Sequence, residues 1–322
     1  MASASFVVTA VGPHCSLQDH GRKGLMRFGV PQSGPMDRTA FAAANLALGN
    51  PADAPGLEIS RTGISLDCTA GSITVAVAGG GFQVEIDGIT HGSWSVTTIS
   101  AGAKLVIKPG FWGNWCYLAF AGQLQATSWL GSVSTHGPSG LGGGRLVLEQ
   151  QLTIDHAEIR AQRVGDIPCP VFARPRHNLR VVLGPQEHFF SAATIATLLS
   201  QLFALSDAYD RMGVRLTGPS LRPDAKLDMP SQAIVRGSVQ VSGDGASTVL
   251  LADHQTTGGY PKIATIISGD LDGFVQLRSR QQVTFDEISP EAAIDIARTR
   301  HQAQQQYFAA LHKAVGRARD PA

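Results

Sequence analysis

Apolar residues in this chain come in short runs. FVVTAV (from Phe6), SITVAVAG (Ser72), FQVEI (Phe82), KLVIKP (Lys104), WCYLAFAG (Trp115), RVVLG (Arg180), AIVRGSVQV (Ala233), TVLLAD (Thr248), ATIIS (Ala264), FVQLR (Phe274) and QVTFDEI (Gln282) are β-rich, with Gly, Pro, Asn and Asp between them at short intervals. That pattern predicts the strands of a barrel or sandwich rather than alternating strand and helix units. Three stretches read as helices. DRTAFAAANLALGNP opens on Asp37 as a cap and stops at Gly49, Asn50 and Pro51; SAATIATLLSQLF follows the turn GPQEHF; SPEAAIDIARTRHQAQQQYFAALHKA opens with Ser289 as cap and Pro290 in the first turn.

With 322 residues the chain exceeds what one hydrophobic core usually organises, so two domains are expected. The Pro-rich, basic CPVFARPRHN (169–178) marks the boundary, giving one β domain over 1–175 and a second, with a C-terminal helix, over 176–322. Short similarities between the halves suggest that the domains are related. Gly12-Pro13 and Gly184-Pro185 each follow a strand, SGPMDR at Ser33 matches SDAYDR at Ser206, and GISL at Gly63 matches GPSL at Gly218. Chance similarity of turn motifs is the alternative.

Composition narrows the function classes. A hydrophobic fraction of 43%, a charged fraction of 16% and a net charge of +1 argue against binding to nucleic acid or an anionic membrane. The start, MASASFVVTAVGP, lacks a basic leader and a long apolar core, and no run approaches a membrane span, so a cytoplasmic location is expected. Cys15, Cys68, Cys116 and Cys169 are scattered without zinc-like spacing and read as free, mostly buried thiols; no metal site is expected.

The densest polar stretch is LADHQTTGGYPKIATIIS, 251–268. Gly258 and Gly259 let the backbone approach a ligand, an exposed Lys262 can neutralise an anion, and Gln255, Thr256, Thr257 and Tyr260 can orient a small amide or carboxylate. The alternative is a polar hairpin whose side chains satisfy its own backbone. A second set, QDHGR with GVPQSGPMD, places Gln18, Asp19 and Arg22 either as braces for Ser33 and Asp37 in a buried turn network or as one wall of a cleft. Asn45 and Glu58 either support that set or simply pack. GSVST, with Ser132, Ser134 and Thr135, is a β-turn or a ligand loop. Asp210 and Arg211 form an ion pair that pins a turn or else line a cleft, and Arg215, four residues on, would share a strand face with Arg211 and suit a carboxylate or phosphate. No glycine-rich phosphate loop, dinucleotide fingerprint, zinc-protease helix or serine nucleophile elbow is present.

Taken in order, SLQDHGRKGLMRFGVPQSGPMDRTAFAAANLALGN, LEISRTG, WCYLAFAG, LGSVSTHGPSGLGG, YDRMGVRLTGP and LLADHQTTGGYPKIATII resemble the KipA-like family. This family includes the C subunit of bacterial 5-oxoprolinase and the related half of the urea carboxylase carboxyltransferase domain. The resemblance runs from about Val7 to Ile288. It departs at Val133 and His254, where the family usually has Arg, and at Val214, where it usually has Tyr. It implies two tandem cyclophilin-like β-barrel domains with a few helices, and an obligate partner, the KipI-like B subunit, with an A subunit completing the same complex. It also implies opening of 5-oxo-L-proline to L-glutamate with ATP and magnesium used by the complex, the chain being inactive alone. On this basis Lys262, Asp253, Gln255 and Asp210 are expected to be catalytic. Gln18, Asp19, Arg22, Ser33, Asp37, Arg211, Arg215, Thr256, Thr257, Gly258, Gly259 and Tyr260 are expected to bind substrate. Two other functions stay open: a carboxyltransferase acting on urea or another small amide with carboxybiotin brought by a partner, since the chain has no biotin attachment motif, and a regulator that binds a KipI-like kinase inhibitor.

Overall fold

The computed structural model describes residues 2–224 and 229–313. The chain is mainly β and folds into two compact units, neither of them continuous in sequence. Unit 1 takes the chain up to Gly21, Asp37–Arg174 and the chain from Ala303; unit 2 takes Arg22–Met36 and Pro175–Gln302.

Unit 1 holds two antiparallel sheets. One orders Gln123–Leu124, Gln151–Asp155, Ser3–Val11, Ile64–Ala70, Lys104–Lys108, Gln83–Ile86 and Ile89–Gly92; the other orders Gly165–Asp166, Ser95–Ser100, Ser72–Ala78, Trp115–Phe120, Gly56–Ser60 and Ser16–Gln18. In the first strand Ala4, Phe6 and Val8 point inward at period two, and Phe6 meets Phe120 of the other sheet at 5.6 Å between ring centroids. Trp115–Phe120 shows no alternation and is buried throughout, because helix α1 (Arg38–Leu48) covers its other face. The alanines of α1 let it approach closely: a Cβ added at Gly79 would lie 3.3 Å from Ala40 Cβ. The helix is bounded as its sequence signals predict. Asp37 Oδ1 accepts the Ala40 N–H at 2.9 Å, and Gly49 closes it in the left-handed region at φ 82°.

A polar chain threads this core. The Asp37 N–H donates to Tyr117 Oη at 2.6 Å, and that hydroxyl donates to buried Glu58 at 2.9 Å. Burial, and then the Glu58 carboxylate, push the Tyr117 phenol well above its ordinary pKa.

Unit 2 is a closed barrel: Asn178–Leu183, Lys262–Ile266, Ser238–Val241, Ser247–Leu250, Gly213–Thr217, Phe203–Tyr209 and Gln282–Glu287, closed by a parallel pair between the last strand and the first. Leu179, Val181, Val239, Val249, Ile266 and Phe285 are among its buried residues. Helix α2 (Ala192–Ser200) starts at a Ser191 cap and α3 covers Ser268–Phe274. The last helix, α4 (Pro290–Lys313), starts where Ser289 Oγ accepts the Ala292 N–H.

Three local expectations change. FVQLR is not a strand: Leu271, Phe274 and Val275 follow i, i+3, i+4 spacing, and the segment is the end of α3 and its following turn. SDAYDR runs out of a strand into a turn, whereas SGPMDR is irregular chain leading into α1. GISL enters a strand but GPSL is a loop, so these two matches do not mark equivalent elements. Gly12-Pro13 and Gly184-Pro185 do both follow strands. All four cysteines are free, three of them buried.

Asp37→Ala removes the cap of α1. Urea denaturation should show a loss of about 1–2 kcal/mol relative to wild type; an unchanged midpoint would mean that the carboxylate has no capping role.

Candidate functional site

In unit 2 the chain leaves the barrel after Ser247–Leu250 and keeps pairing with the turn before Gly213–Thr217: Leu251 N–H donates to the Met212 carbonyl and Asp253 N–H to the Arg211 carbonyl, at 2.9 and 2.8 Å. That pairing sets Asp253 beside Arg211. The fully buried carboxylate takes a two-pronged guanidinium contact, Nε to Oδ2 at 2.9 Å and Nη2 to Oδ1 at 2.8 Å, and Nη2 also donates to the Gly34 carbonyl at 2.7 Å. Arg236 donates to the next two carbonyls, Pro35 at 3.1 Å and Met36. Two arginines thus hold three consecutive carbonyls of the Arg22–Met36 excursion. Ser33, just before them, sits in the left-handed region at φ 57° with a buried hydroxyl that has no hydrogen-bond partner. Arg22 is buried, and its N–H donates to the Gln32 carbonyl.

Asp210 plays another part. It is exposed, and its carboxylate accepts the N–H groups of Met212 and Gly213 at 2.7 and 3.2 Å, closing its own turn. It makes no ion pair with Arg211. Arg215 does not share a face with Arg211 either. Arg211 lies before the strand begins, and Arg215 points outward between inward Val214 and Leu216 to meet exposed Asp244 at 3.3 Å.

Lys262 opens the strand Lys262–Ile266 and is buried, not exposed, with 2% of its surface accessible. Gln186 brackets its backbone, accepting the Lys262 N–H at 3.0 Å and donating its own N–H to the Lys262 carbonyl at 3.2 Å. The Gln186 amide donates to Gln232 Oε1 at 2.5 Å, and Gln240 lies opposite Lys262 in register. The Lys262 ammonium has no hydrogen-bond partner, and burial lowers its pKa. Gly258 permits close approach: a Cβ there would lie 2.6 Å from Gln240 Nε2, so that side chain would have to shift, whereas at Gly259 a Cβ would make only ordinary contact, with Ser231 Oγ at 3.8 Å the nearest atom. Thr257–Gly258 pairs with Gln232–Ala233 in a two-stranded ribbon.

The side chains of Gln255, Thr256, Thr257 and Tyr260 make no hydrogen bonds among the described residues, and Tyr260 is 52% exposed. A hairpin that spent these groups on its own backbone would not look so. His254 is buried, its Nδ1 2.6 Å from the Gln255 carbonyl; burial lowers its pKa, so the neutral ring donates there. Val214 is a barrel-core residue.

In unit 1 the polar set is a structural knot. Asp19 Oδ1 accepts from Gly21 N–H (2.9 Å), Ser132 Oγ (2.5 Å) and Ser134 Oγ (2.7 Å), and Oδ2 accepts the Val133 N–H (2.8 Å). Asp19 therefore braces GSVST rather than Ser33 or Asp37, and the Val133 contact uses only its backbone. Burial opposes ionisation of Asp19, yet the bonds from Ser132, Ser134, Gly21 and Val133 hold its pKa below the usual value. Gln18 donates to Ser16 Oγ and the Thr135 carbonyl, leaving a buried Oε1 without a partner. Asn45 ties the end of α1 to the Ala54 carbonyl. Reading the sequence missed Arg236, Gln186 and Gln240, whose parts depend on which strands pair.

Among the described residues no cluster of His, Cys, Asp and Glu is placed to hold a metal ion, and no helix is long and apolar enough to cross a membrane. Residues 28–287 match the family model described as carboxyltransferase domain, subdomain A and B. The chain is 31% identical to the 5-oxoprolinase C subunit of Escherichia coli, over 94% of this chain and 96% of that one, and 32% identical to the protein of the same name from Haemophilus influenzae, over 89% and 93%. Urea amidolyase of Saccharomyces cerevisiae is 26% identical over 89% of this chain, which matches 17% of that protein. Among solved structures, TTHA0988 matches with a TM-score of 0.78 at 29% identity, over 88% of this chain and 55% of that one. Kluyveromyces lactis urea amidolyase matches with a TM-score of 0.84 at 24% identity, over 95% of this chain and 20% of that one, a likeness of fold.

Arg211→Ala takes the two-pronged guanidinium contact from the buried Asp253 carboxylate and should cost about 3–5 kcal/mol in chemical denaturation. Asp19 gives a pH signature. Its native pKa lies below the unfolded value of about 3.9, so its contribution to stability is complete above that value and is lost as pH falls through the native pKa. The stability gap between wild type and Asp19→Asn should be widest near neutrality and close in acid; a gap independent of pH would contradict the knot.

Proposed function

Because the chain belongs to the carboxyltransferase-domain family, subdomains A and B, we propose that it is the C subunit of an ATP-dependent 5-oxoprolinase that opens 5-oxo-L-proline to L-glutamate. The observation that carries this is identity: the two relatives bearing that name are 31% and 32% identical to this chain, whereas the urea amidolyase relatives are 26% and 27% identical. The complex is completed by its KipI-like B subunit together with its A subunit.

The chemistry explains the need for ATP. A lactam carbonyl is a poor electrophile; transfer of the ATP γ-phosphoryl group to its oxygen activates the ring carbon. Water adds there, the C–N bond breaks with the nitrogen leaving as the protonated amine, and a second water hydrolyses the resulting acyl phosphate to the carboxylate and phosphate. Donors must meet the charge that develops. This chain has no phosphate loop in its sequence and no carboxylate cluster suited to magnesium among its described residues. We therefore assign nucleotide handling to the assembled complex. The loop from Gln255 to Lys262 is this chain's contribution to lactam binding, its side-chain donors uncommitted and its backbone set close to Gln240 by Gly258.

Purified alone, the chain should show no 5-oxoproline-dependent ATP hydrolysis, and should gain it when the B and A subunits are added. Full turnover by the isolated chain would overturn the obligate complex. Urea-dependent turnover with a biotin carboxylase partner in place of oxoproline-dependent turnover would overturn the substrate.

A further inference from the structure

Lys262 stands apart from the other buried or half-buried cations of unit 2. Arg211 has Asp253, Arg180 grips Asp270 through Nε and Nη2 at 3.0 and 2.5 Å, and Arg236 has two backbone carbonyls. Each of these three charges is answered by oxygen. Lys262 is as deeply withdrawn as Arg211, and its ammonium has no oxygen within hydrogen-bonding distance. Burying a charge without a partner costs about as much as a large core residue contributes. A strand position beside valines and isoleucines could hold an aliphatic side chain at no such cost.

The neighbours are donors and amides rather than acids. Gln240, opposite in register, makes one long bond, Nε2 to the Tyr260 carbonyl at 3.5 Å, which leaves its amide able to turn toward a ligand. Gln186 fixes the Lys262 backbone, so the root of the side chain is rigid even though its tip is uncommitted. A neutral amide such as urea entering here would leave the ammonium unpaired. A carboxylate would neutralise it, with Gln240 free to bond a neighbouring amide of the same molecule.

We propose that Lys262 is the receptor for the carboxylate of the ligand, and that with Gln240 it makes this barrel selective for a small cyclic amide bearing a carboxylate over the same ring without one. The inference rests on the 5-oxoprolinase reading for the identity of the ring. Entry requires local opening, because the ammonium is closed off from water in the unliganded chain. The lowered pKa agrees, since a bound carboxylate reverses the cost that burial imposes on the charged amine.

The test is calorimetric titration of the full chain with 5-oxo-L-proline and with 2-pyrrolidinone, the same ring lacking the carboxylate, for wild type, Lys262→Met and Lys262→Gln. Wild type should prefer the acid by about tenfold or more, the scale of one charge-assisted bond. Both variants should lose that preference while binding the neutral lactam as wild type does. Melting temperatures should hold or rise, because an unpaired buried charge has been removed. Preference for the acid that survives in a folded variant, absence of preference in wild type, or no binding of either ring overturns the inference. Activity of the reconstituted complex is measured alongside. Oxoproline turnover without a Lys262-dependent preference sinks the inference alone; a Lys262-dependent preference without oxoproline turnover sinks the reading of the reaction and leaves the carboxylate site.

Discussion

A guanidinium and a carboxylate taken out of water together are stable only when their remaining hydrogen-bonding capacity is also used. In unit 2 that constraint shapes everything around Arg211 and Asp253. The fork satisfies both oxygens of Asp253, and a donor of Arg211 finds the Gly34 carbonyl. Arg236 repeats the arrangement on Pro35 and Met36. A stretch with little regular structure, Arg22–Met36, is thereby held to the barrel by side chains that lie far away in sequence. The buried Ser33 hydroxyl without a partner is a local cost that this anchoring supports.

Unit 1 solves a similar problem at the scale of a loop. Asp19 gathers two hydroxyls and two backbone N–H groups, enough to stay ionised although buried. The Asp37–Tyr117–Glu58 chain links buried polar groups by hydrogen bonds inside the layer between α1 and its sheet. In both units most buried polar groups are committed to structure. Among the described residues the Lys262 ammonium, the Ser33 hydroxyl and the Gln18 carbonyl oxygen are buried without a hydrogen-bond partner, and of these three Lys262 is the cation, which directs attention to it. The exposed side chains of the loop before it add donors and acceptors on the same short segment.

Family membership and identities of 31% and 32% with relatives named for 5-oxoprolinase agree with this chemistry. A protein whose own loop presents a cation and amides, but no phosphate loop, is suited to orienting a small amide while partners supply the rest. The departures from the family pattern fall where they disturb this least: Val133 acts through its N–H, Val214 fills the barrel, and His254 bonds a backbone carbonyl.

Local signals were sufficient for much of the architecture. The short β-rich runs, the Asp37 and Ser289 caps and the Gly49 stop depend on neighbours within a few residues, so most of them could be read directly and hold in three dimensions. FVQLR misled because a short apolar run has no period of its own, and Leu271 three residues before Phe274 makes it a helical face. The loop from Gln255 to Lys262 was legible as unusual because its polar density is local. Its chemistry was not, because burial of Lys262 follows from barrel closure, and the glutamines around it arrive on other strands. Asp210 and Arg211 stand side by side in sequence, yet Arg211 pairs with Asp253, forty-two positions on. Strand register decided that pairing, and register is set by the packing of the whole sheet rather than by any one segment.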